Sequence, residues 1–216
     1  MARKLKYDIP GPDWRVAPAE VRERGFEAIF ASDVAKPLPL VLEIGFGRGE
    51  FLLDLAERHP ETAHVGVEYS FKRTLKLARR LARTPLRNVR LMEATGEQVV
   101  DELLPDASIS TLWINFPDPW PKKRHHRRRL IQPAFVARAA RRLVPGGMLR
   151  FATDHEGYAE WTDAVLRAEP ELENRYAPES FRPTEADRLP TAYELEWRAL
   201  GRAFHFFAYA RRGPSV

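Results

Sequence analysis

The chain has 216 residues, 44% of them hydrophobic, which is enough for one good core and short for two, and it has no cysteine, which excludes disulfides, thiolate zinc sites and any reaction through a cysteine nucleophile. Its net charge is +5, yet Lys122, Lys123, Arg124, Arg127, Arg128 and Arg129 stand together in one run, so the positive character is a single local patch suited to a polyanion. No apolar run reaches membrane-spanning length, and the opening Met-Ala-Arg-Lys-Leu-Lys-Tyr-Asp has no apolar stretch behind its basic residues, so a cytoplasmic protein without a membrane partner is expected.

Taken from the N-terminus, residues 1–39 read as an extension: a basic arm, a proline-rich stretch from Pro10 to Pro39, and one helix from Ala19 to Phe30. Residues 40–216 read as one domain. Its first strand, Leu40 to Ile44, runs straight into a Gly-x-Gly-x-Gly turn at Gly45, Gly47 and Gly49 and then a helix from Phe51 to Arg58. Glycines belong there because the chain turns sharply and lets a ligand approach the backbone. A dinucleotide fingerprint would place its third glycine at position 50, where this chain has Glu50, so the loop fits a methyltransferase better than a hydride-transfer enzyme. Glu43, inside an otherwise apolar strand, needs a partner to offset its desolvation, and the cationic methionyl portion of S-adenosylmethionine supplies one.

The second strand, His64 to Glu68, ends on a carboxylate about 20 residues past the loop, placed to accept hydrogen bonds from a ribose diol. An amphipathic helix from Phe71 to Arg83, with Leu75, Leu77, Ala78 and Leu81 on one side, leads to a third strand, Val89 to Met92, and a helix from Thr95 to Leu104. The fourth strand, Thr111 to Asn115, opens into Phe116-Pro117-Asp118-Pro119-Trp120-Pro121, followed at once by the basic run through Arg129. Prolines on both sides of Asp118 hold its backbone at the carboxyl end of a strand, where open α/β sheets carry their ligand crevice. Asn115 has two readings, orienting a ligand or capping a turn. Trp120 likewise reads either as a base-stacking or as a packing side chain. His125 and His126 have no carboxylate or thiolate companions at ligand spacing, so no metal is expected.

Further on, a helix from Pro133 to Leu143 is expected to end at a Pro145-Gly146-Gly147 turn, followed by a strand from Met148 to Ala152 and a helix from Glu156 to Ala168. After Glu169 the chain reads as irregular until an aromatic strand from Phe204 to Tyr209. Strand and helix in alternation mean a largely parallel sheet covered on both faces.

The run Phe-Pro-Asp-Pro-Trp-Pro-Lys-Lys-Arg-His-His-Arg-Arg-Arg, with Leu-Glu-Ile-Gly-Phe-Gly-Arg-Gly ahead of it and Ala-Thr-Asp at 152–154 behind it, resembles the bacterial tRNA (guanine-N7-)-methyltransferase family from about Leu40 onward. The resemblance implies a Rossmann-like α/β fold with a mostly parallel seven-stranded sheet and helices on both faces. It implies methyl transfer from S-adenosyl-L-methionine to N7 of a guanine in the tRNA variable loop, with residues 40–216 as the catalytic domain. By the same resemblance Glu43, Gly45, Gly47, Glu68 and Asp118 match the cofactor site, and Asp118 is also the active-site aspartate. Lys122, Asp154, Thr191 and Glu194 match positions used for tRNA. Two positions depart from the family: Thr95 stands where an acidic residue usually lies beside the adenine, and Ala192 replaces the lysine of the Thr-Lys-Phe-Glu tail. Two other functions compete with this one, a catalytically silent RNA-binding module of the same fold and a methyltransferase for a small molecule or protein. The sequence leaves monomer or homodimer undecided.

Overall fold

The structure, a computed structural model, describes residues 6–31, 33, 39–185 and 188–213. The first five residues of the basic arm and residues 34–38, which lead into the domain, lie outside the described residues. Seven strands form one sheet in the order β3-β2-β1-β4-β5-β7-β6. They are β1 (Leu40–Ile44), β2 (Ala63–Glu68), β3 (Val89–Glu93), β4 (Ile109–Asn115), β5 (Leu143–Thr153), β6 (Leu172–Asn174) and β7 (His205–Arg211). The first five run parallel, while β7 lies antiparallel between β5 and β6. The strand order reverses between β1 and β4, which leaves a crevice beyond their carboxyl ends.

The helices are α1 (Pro18–Phe30), α2 (Glu50–Arg58), α3 (Phe71–Leu81), α4 (Gly96–Gln98, continuing as a π-helical turn over Val99–Leu103), α5 (Pro133–Arg142), α6 (Glu156–Ala168) and α7 (Ala192–Ala199). Side chains alternate across a strand, so β1 divides the molecule. Leu40, Leu42 and Ile44 join a large apolar core with Phe26 and Ile29 of α1, Val136 and Ala139 of α5, and Leu166 of α6. Val41 faces the other way and packs with Phe51, Leu55 and Trp113. Beside that cluster, α2 and α3 bury Leu52, Leu53, Leu77 and Leu81 against Val89 and Leu91. Glu43 shares the face of Val41 by the same alternation.

The extension is stitched to the free edge of the sheet. Val16 N donates to Leu91 O at 2.9 Å and Leu91 N to Trp14 O at 3.0 Å, which caps unpaired backbone groups of β3. Arg90, buried in β3, lies 4.7 Å from the ring centres of both Trp14 and Phe30 and pairs with Asp33. These contacts tie the proline-rich stretch to both ends of α1.

The structure corrects three expectations. The Pro145-Gly146-Gly147 segment does not end a helix. Helix α5 stops at Arg142, because Val144 precedes a proline and is steered out of helical dihedrals. The segment bulges within β5: Ile109 pairs with Leu143 and Thr111 with Met148, so two steps along β4 face five along β5. The stretch after Glu169 holds two short elements, β6 and α7, which lacked enough periodic residues to read. The expected helix from Thr95 to Leu104 is a single α-turn that loosens into a π-turn, with Thr95 as its N-cap. Among the described residues, no helix is long and apolar enough to cross a membrane.

Candidate active site at the strand-order reversal

A cleft of about 480 Å³ opens at the carboxyl ends of β1, β2 and β4. It is lined by Gly45 after β1, Glu68 and Tyr69 after β2, Thr95 after β3, and Phe116, Asp118 and Trp120 after β4. Four of the six residues predicted for the cofactor, Gly45, Glu68, Thr95 and Asp118, thus line one cavity, although up to 73 residues separate them in sequence.

The glycine turn is built as its sequence requires. Gly45, Gly47 and Gly49 have φ of 77°, 56° and 75°, a left-handed region that other residues enter at a cost. A Cβ on Gly49 would come within 2.3 Å of Leu77, so that glycine also lets α2 close onto α3. A Cβ on Gly45 would meet nothing within 4 Å, which leaves this backbone open on the cleft side. Gly47 N donates to Glu68 Oε2 at 3.1 Å, and Ser70 N donates to Glu68 Oε1 at 3.1 Å, so the two ends of the cleft are fastened through one carboxylate. Arg73 meets the same carboxylate at 3.5 Å.

Glu43 lies beneath this rim at 2% exposure. Its Oε1 accepts from Asn115 Nδ2 at 3.2 Å, while its Oε2 is buried with no hydrogen-bond partner. Asn115, which had two readings in the sequence, therefore orients Glu43 across the gap between β4 and β1. Burial pushes the Glu43 carboxyl up to about 7, and nearby Glu68 adds to the rise. The Asn115 hydrogen bond and the guanidinium of Arg188 pull it down. An unpaired carboxylate oxygen in such a place is costly and marks a position for a cationic or donor group.

Asp118 sits exposed on the loop after β4, and the residues around it carry backbone strain. Phe116 and Trp120 adopt φ of 51° and 44°, unusual for side chains of that size, and each precedes a proline. Phe116 N is pinned to Ala152 O at 2.8 Å. Arg128 lies 4.9 Å from the Trp120 ring centre and His125 meets that ring edge-on at 5.9 Å. The loop is thus clamped at both ends with its aspartate projecting between them.

The basic run divides. Lys123–Arg128 form a 3-10 turn, and Lys122, Lys123, Arg124, Arg127 and Arg128 are exposed. Arg129 is a correction to the surface patch: at 2% exposure it donates to Pro119 O at 2.9 Å and Gly157 O at 3.0 Å, and it rests on the Tyr158 ring. Its charge fastens the Asp118 loop to α6.

The four residues matched to tRNA contacts take different places. Lys122 is exposed at the head of the 3-10 turn. Asp154, after β5, pairs with Arg202 and accepts from Tyr193 Oη at 2.8 Å. Thr191 caps α7 by accepting from Glu194 N at 3.0 Å. Glu194 is 3% exposed and accepts from Arg188 and Arg198, each at 2.8 Å, so it holds α7 in place and does not stand on the surface as a direct contact would. Tyr193 packs against Phe116 at 5.3 Å, which lays the tail over the Asp118 loop. The side chain of Ala192 lies outside the described residues.

Sequence reasoning missed Tyr69, Arg128, Arg188 and Tyr193 as parts of this site. Arg128 was counted only as charge, although its place beside a predicted loop tryptophan was a signal. Tyr193 stands at the aromatic position of the Thr-Lys-Phe-Glu tail, which was its signal, whereas Arg188 lies in the stretch that read as irregular and carried none.

A family model described as a putative methyltransferase matches residues 37–207. The tRNA (guanine-N(7)-)-methyltransferase of Alkalilimnicola ehrlichii is 42% identical over 174 residues, 81% of this chain and 73% of that protein. The enzyme of the same name from Halorhodospira halophila is 39% identical over 202 residues, covering 92% and 86%. Among solved structures, the 16S rRNA methyltransferase KamB superposes with a TM-score of 0.63 at 18% identity, covering 87% of this chain and 94% of that one. A variant of the 16S rRNA (adenine(1408)-N(1))-methyltransferase from Catenulisporales acidiphilia, solved with its cosubstrate SAM, gives 0.56 at 16% identity, covering 93% and 94%. These structural likenesses establish the Rossmann-like methyltransferase fold.

Proposed function

The chain belongs to the tRNA (guanine-N(7)-)-methyltransferase family, and from that membership we infer that it transfers the methyl group of S-adenosylmethionine to N7 of a guanine in the tRNA variable loop. The observation that carries this reading is the meeting of Gly45 of the glycine turn, the Glu68 carboxylate and the clamped Asp118 in one cleft, with the half-paired Glu43 buried two residues before Gly45.

The residues fit the cofactor. The unpartnered Oε2 of Glu43 matches a cationic amino group, the open backbone at Gly45 and Gly47 admits a ligand closely, and Glu68 and Thr95 line the cleft where a ribose and a base would lie. Thr95 Oγ1 already accepts from Gln98 N at 3.2 Å, so toward an adenine its hydroxyl is free to donate, whereas the acidic residue usual in the family would accept. When bound, S-adenosylmethionine supplies an electrophilic sulfonium methyl.

N7 of guanine is a neutral nitrogen with a free lone pair, so no proton has to leave before it attacks and no general base is needed. What the protein contributes is alignment in the cleft, together with a charge that favours the purine cation as it forms. Asp118 takes that role. Its loop is fixed by Pro117 and Pro119, by the strained Phe116 and Trp120, and by Arg129 beneath, so little reorganisation accompanies the reaction. Trp120 and Arg128 line the same cleft and give the guanine an aromatic wall. Lys122 and Asp154 flank the tRNA path. Thr191 and Glu194 act on tRNA indirectly, by holding the tail that carries Tyr193.

The direct test incubates the protein with methyl-labelled S-adenosylmethionine and bulk tRNA, then digests the RNA to nucleosides. Label in 7-methylguanosine is expected. Label confined to protein or small molecules, or no transfer at all with tRNA still bound, would contradict the reading. The exposed cations should supply the backbone contacts: replacing Lys123, Arg124 and Arg127 with serine is expected to weaken tRNA binding and to flatten its salt slope by up to roughly 2 to 3 units, with cofactor affinity unchanged. Filter-binding titrations at several salt concentrations measure this, and an unaltered slope would place the phosphates elsewhere.

A further inference from the structure

Arg188 lies in the stretch between β6 and α7 at 7% exposure, and the reaction described above makes no use of it. Its guanidinium is held between two aromatic rings, 5.0 Å from the centre of Phe51 on α2 and 5.1 Å from that of Phe206 on β7. Nη1 donates to Glu194 Oε2 at 2.8 Å, while Nε and Nη2 are buried without a hydrogen-bond partner among the described residues. Glu43 Oε2 is in the same condition. Phe51, on which Arg188 stacks, packs against Val41, and Val41 shares a face of β1 with Glu43, so two half-satisfied groups of opposite charge lie on one buried face and each bears on the other.

The charged and polar groups around the pair come from every neighbouring element. Glu43 on β1 is faced by Asn115 from β4, Glu68 from β2 and Arg188 from the tail. Arg188 is faced by Glu194 from α7, by Glu185 and by Glu43. Glu194 has a second cation in Arg198, at 2.8 Å, so its demand on Arg188 is shared. The stacked guanidinium cannot swing away to water, and its field acts through a region of low polarisability.

We propose that Arg188 is a positioning residue for methyl transfer: held between Phe51 and Phe206, it favours the carboxylate form of Glu43 that receives the cofactor's ammonium group, and through Glu194 it links cofactor binding to the seating of the C-terminal tail. This rests on the reading that Glu43 meets the cationic end of S-adenosylmethionine. The tail brings Tyr193 against Phe116 and Asp154, so one buried cation joins the strand that holds the cofactor to the segment that covers the Asp118 loop. A cofactor that draws negative charge onto Glu43 strengthens the hold on Arg188 and, with it, on Glu194.

The test follows S-adenosylmethionine affinity by calorimetry between about pH 6 and about pH 9 in the parent protein and in Arg188→Gln, Arg188→Lys and Glu43→Gln, each step of one unit below the carboxyl midpoint lowering affinity about tenfold. Arg188→Gln is expected to move that midpoint upward by about one unit or more, so affinity falls about tenfold near neutrality and recovers in alkali. Arg188→Lys keeps the charge and is expected to restore most of the affinity. Carboxyl carbon resonances of Glu43 in the ligand-free proteins should show the same upward displacement in Arg188→Gln, a readout that packing alone would not move. An Arg188→Gln protein whose Glu43 titrates like the parent's, or whose affinity loss is the same at every pH, overturns the proposal. Should Arg188→Gln fail to fold, the same resonances in Arg188→Met decide, because that side chain fills the space between Phe51 and Phe206 without charge and should show the same upward displacement, and a parental midpoint there overturns the proposal. Parental affinity in Glu43→Gln would instead remove the reading beneath it. Weak binding in Glu43→Gln with a pH-independent Arg188→Gln removes the Arg188 role alone.

Discussion

Asp118→Asn is expected to lower the single-turnover rate of tRNA methylation by roughly 100-fold or more, with both ligands still bound and thermal unfolding close to that of the parent. The substitution keeps size and polarity and deletes one charge. Asp118 is exposed, and the clamp around it is made by Arg129, Arg128 and the two prolines, all of which remain. The whole effect should therefore fall on the step in which positive charge develops on the purine. Because N7 carries no proton, the parent rate at saturating cofactor should also show no acidic limb near neutrality, where a catalytic base would report itself. Rapid-quench measurement of 7-methylguanosine formation checks both statements. An asparagine variant that retains most of its rate would show that charge at this position is immaterial, and one that fails to fold would make Asp118 structural.

Glu43→Gln is expected to do two opposite things: to weaken S-adenosylmethionine binding by roughly 100-fold near pH 8 and to make the ligand-free protein more stable there by roughly 1 to 3 kcal/mol. Burial raises the folded-state pKa of Glu43 to about 7 from an ordinary 4.5, so between those values the native state holds more protons than the unfolded chain. Stability then falls as pH rises through that window, and the full deficit stands above it. Glutamine carries no charge to desolvate and still accepts from Asn115 Nδ2. Urea unfolding at pH 8 should show the gain. Below about pH 5 the two proteins should converge, since the parental carboxyl is then protonated in the fold as well. A variant less stable than the parent at pH 8 would mean that the charge of Glu43 is already compensated within the protein.

The parallel half of the sheet was legible because its strands are short apolar runs divided by amphipathic helices of ordinary length. Leu40 to Ile44 was bounded to the residue, and the others within one to two residues except β5. The β5 boundary failed for a physical reason: Pro145-Gly146-Gly147 looks like a turn, and locally it is one, but β4 supplies pairing partners on either side of it. The cleft was legible where a residue type is odd for its element, as with Glu43 in an apolar strand or Asp118 between prolines. The face closed by the tail was not. Arg188 and Tyr193 do their work through contacts with residues more than 70 positions away, Phe51 and Phe116, and no local pattern encodes a contact of that reach.

Strand β7 enters the sheet between two strands that do not pair with each other, β5 and β6. Among the described residues β6 pairs only with β7, and β7 alone joins it to β5. As the polypeptide leaves the ribosome, β6 is therefore made before it has any neighbour to bond, and the sheet ends at an open β5 until residues 205–211 follow. Phe206, one wall of the Arg188 sandwich, arrives in that same final stretch. A chain released before residues 205–211 would keep its glycine turn and its Asp118 loop while leaving Arg188 with Phe51 alone, so the order of synthesis delays the seating of that buried cation until β7 has closed the sheet.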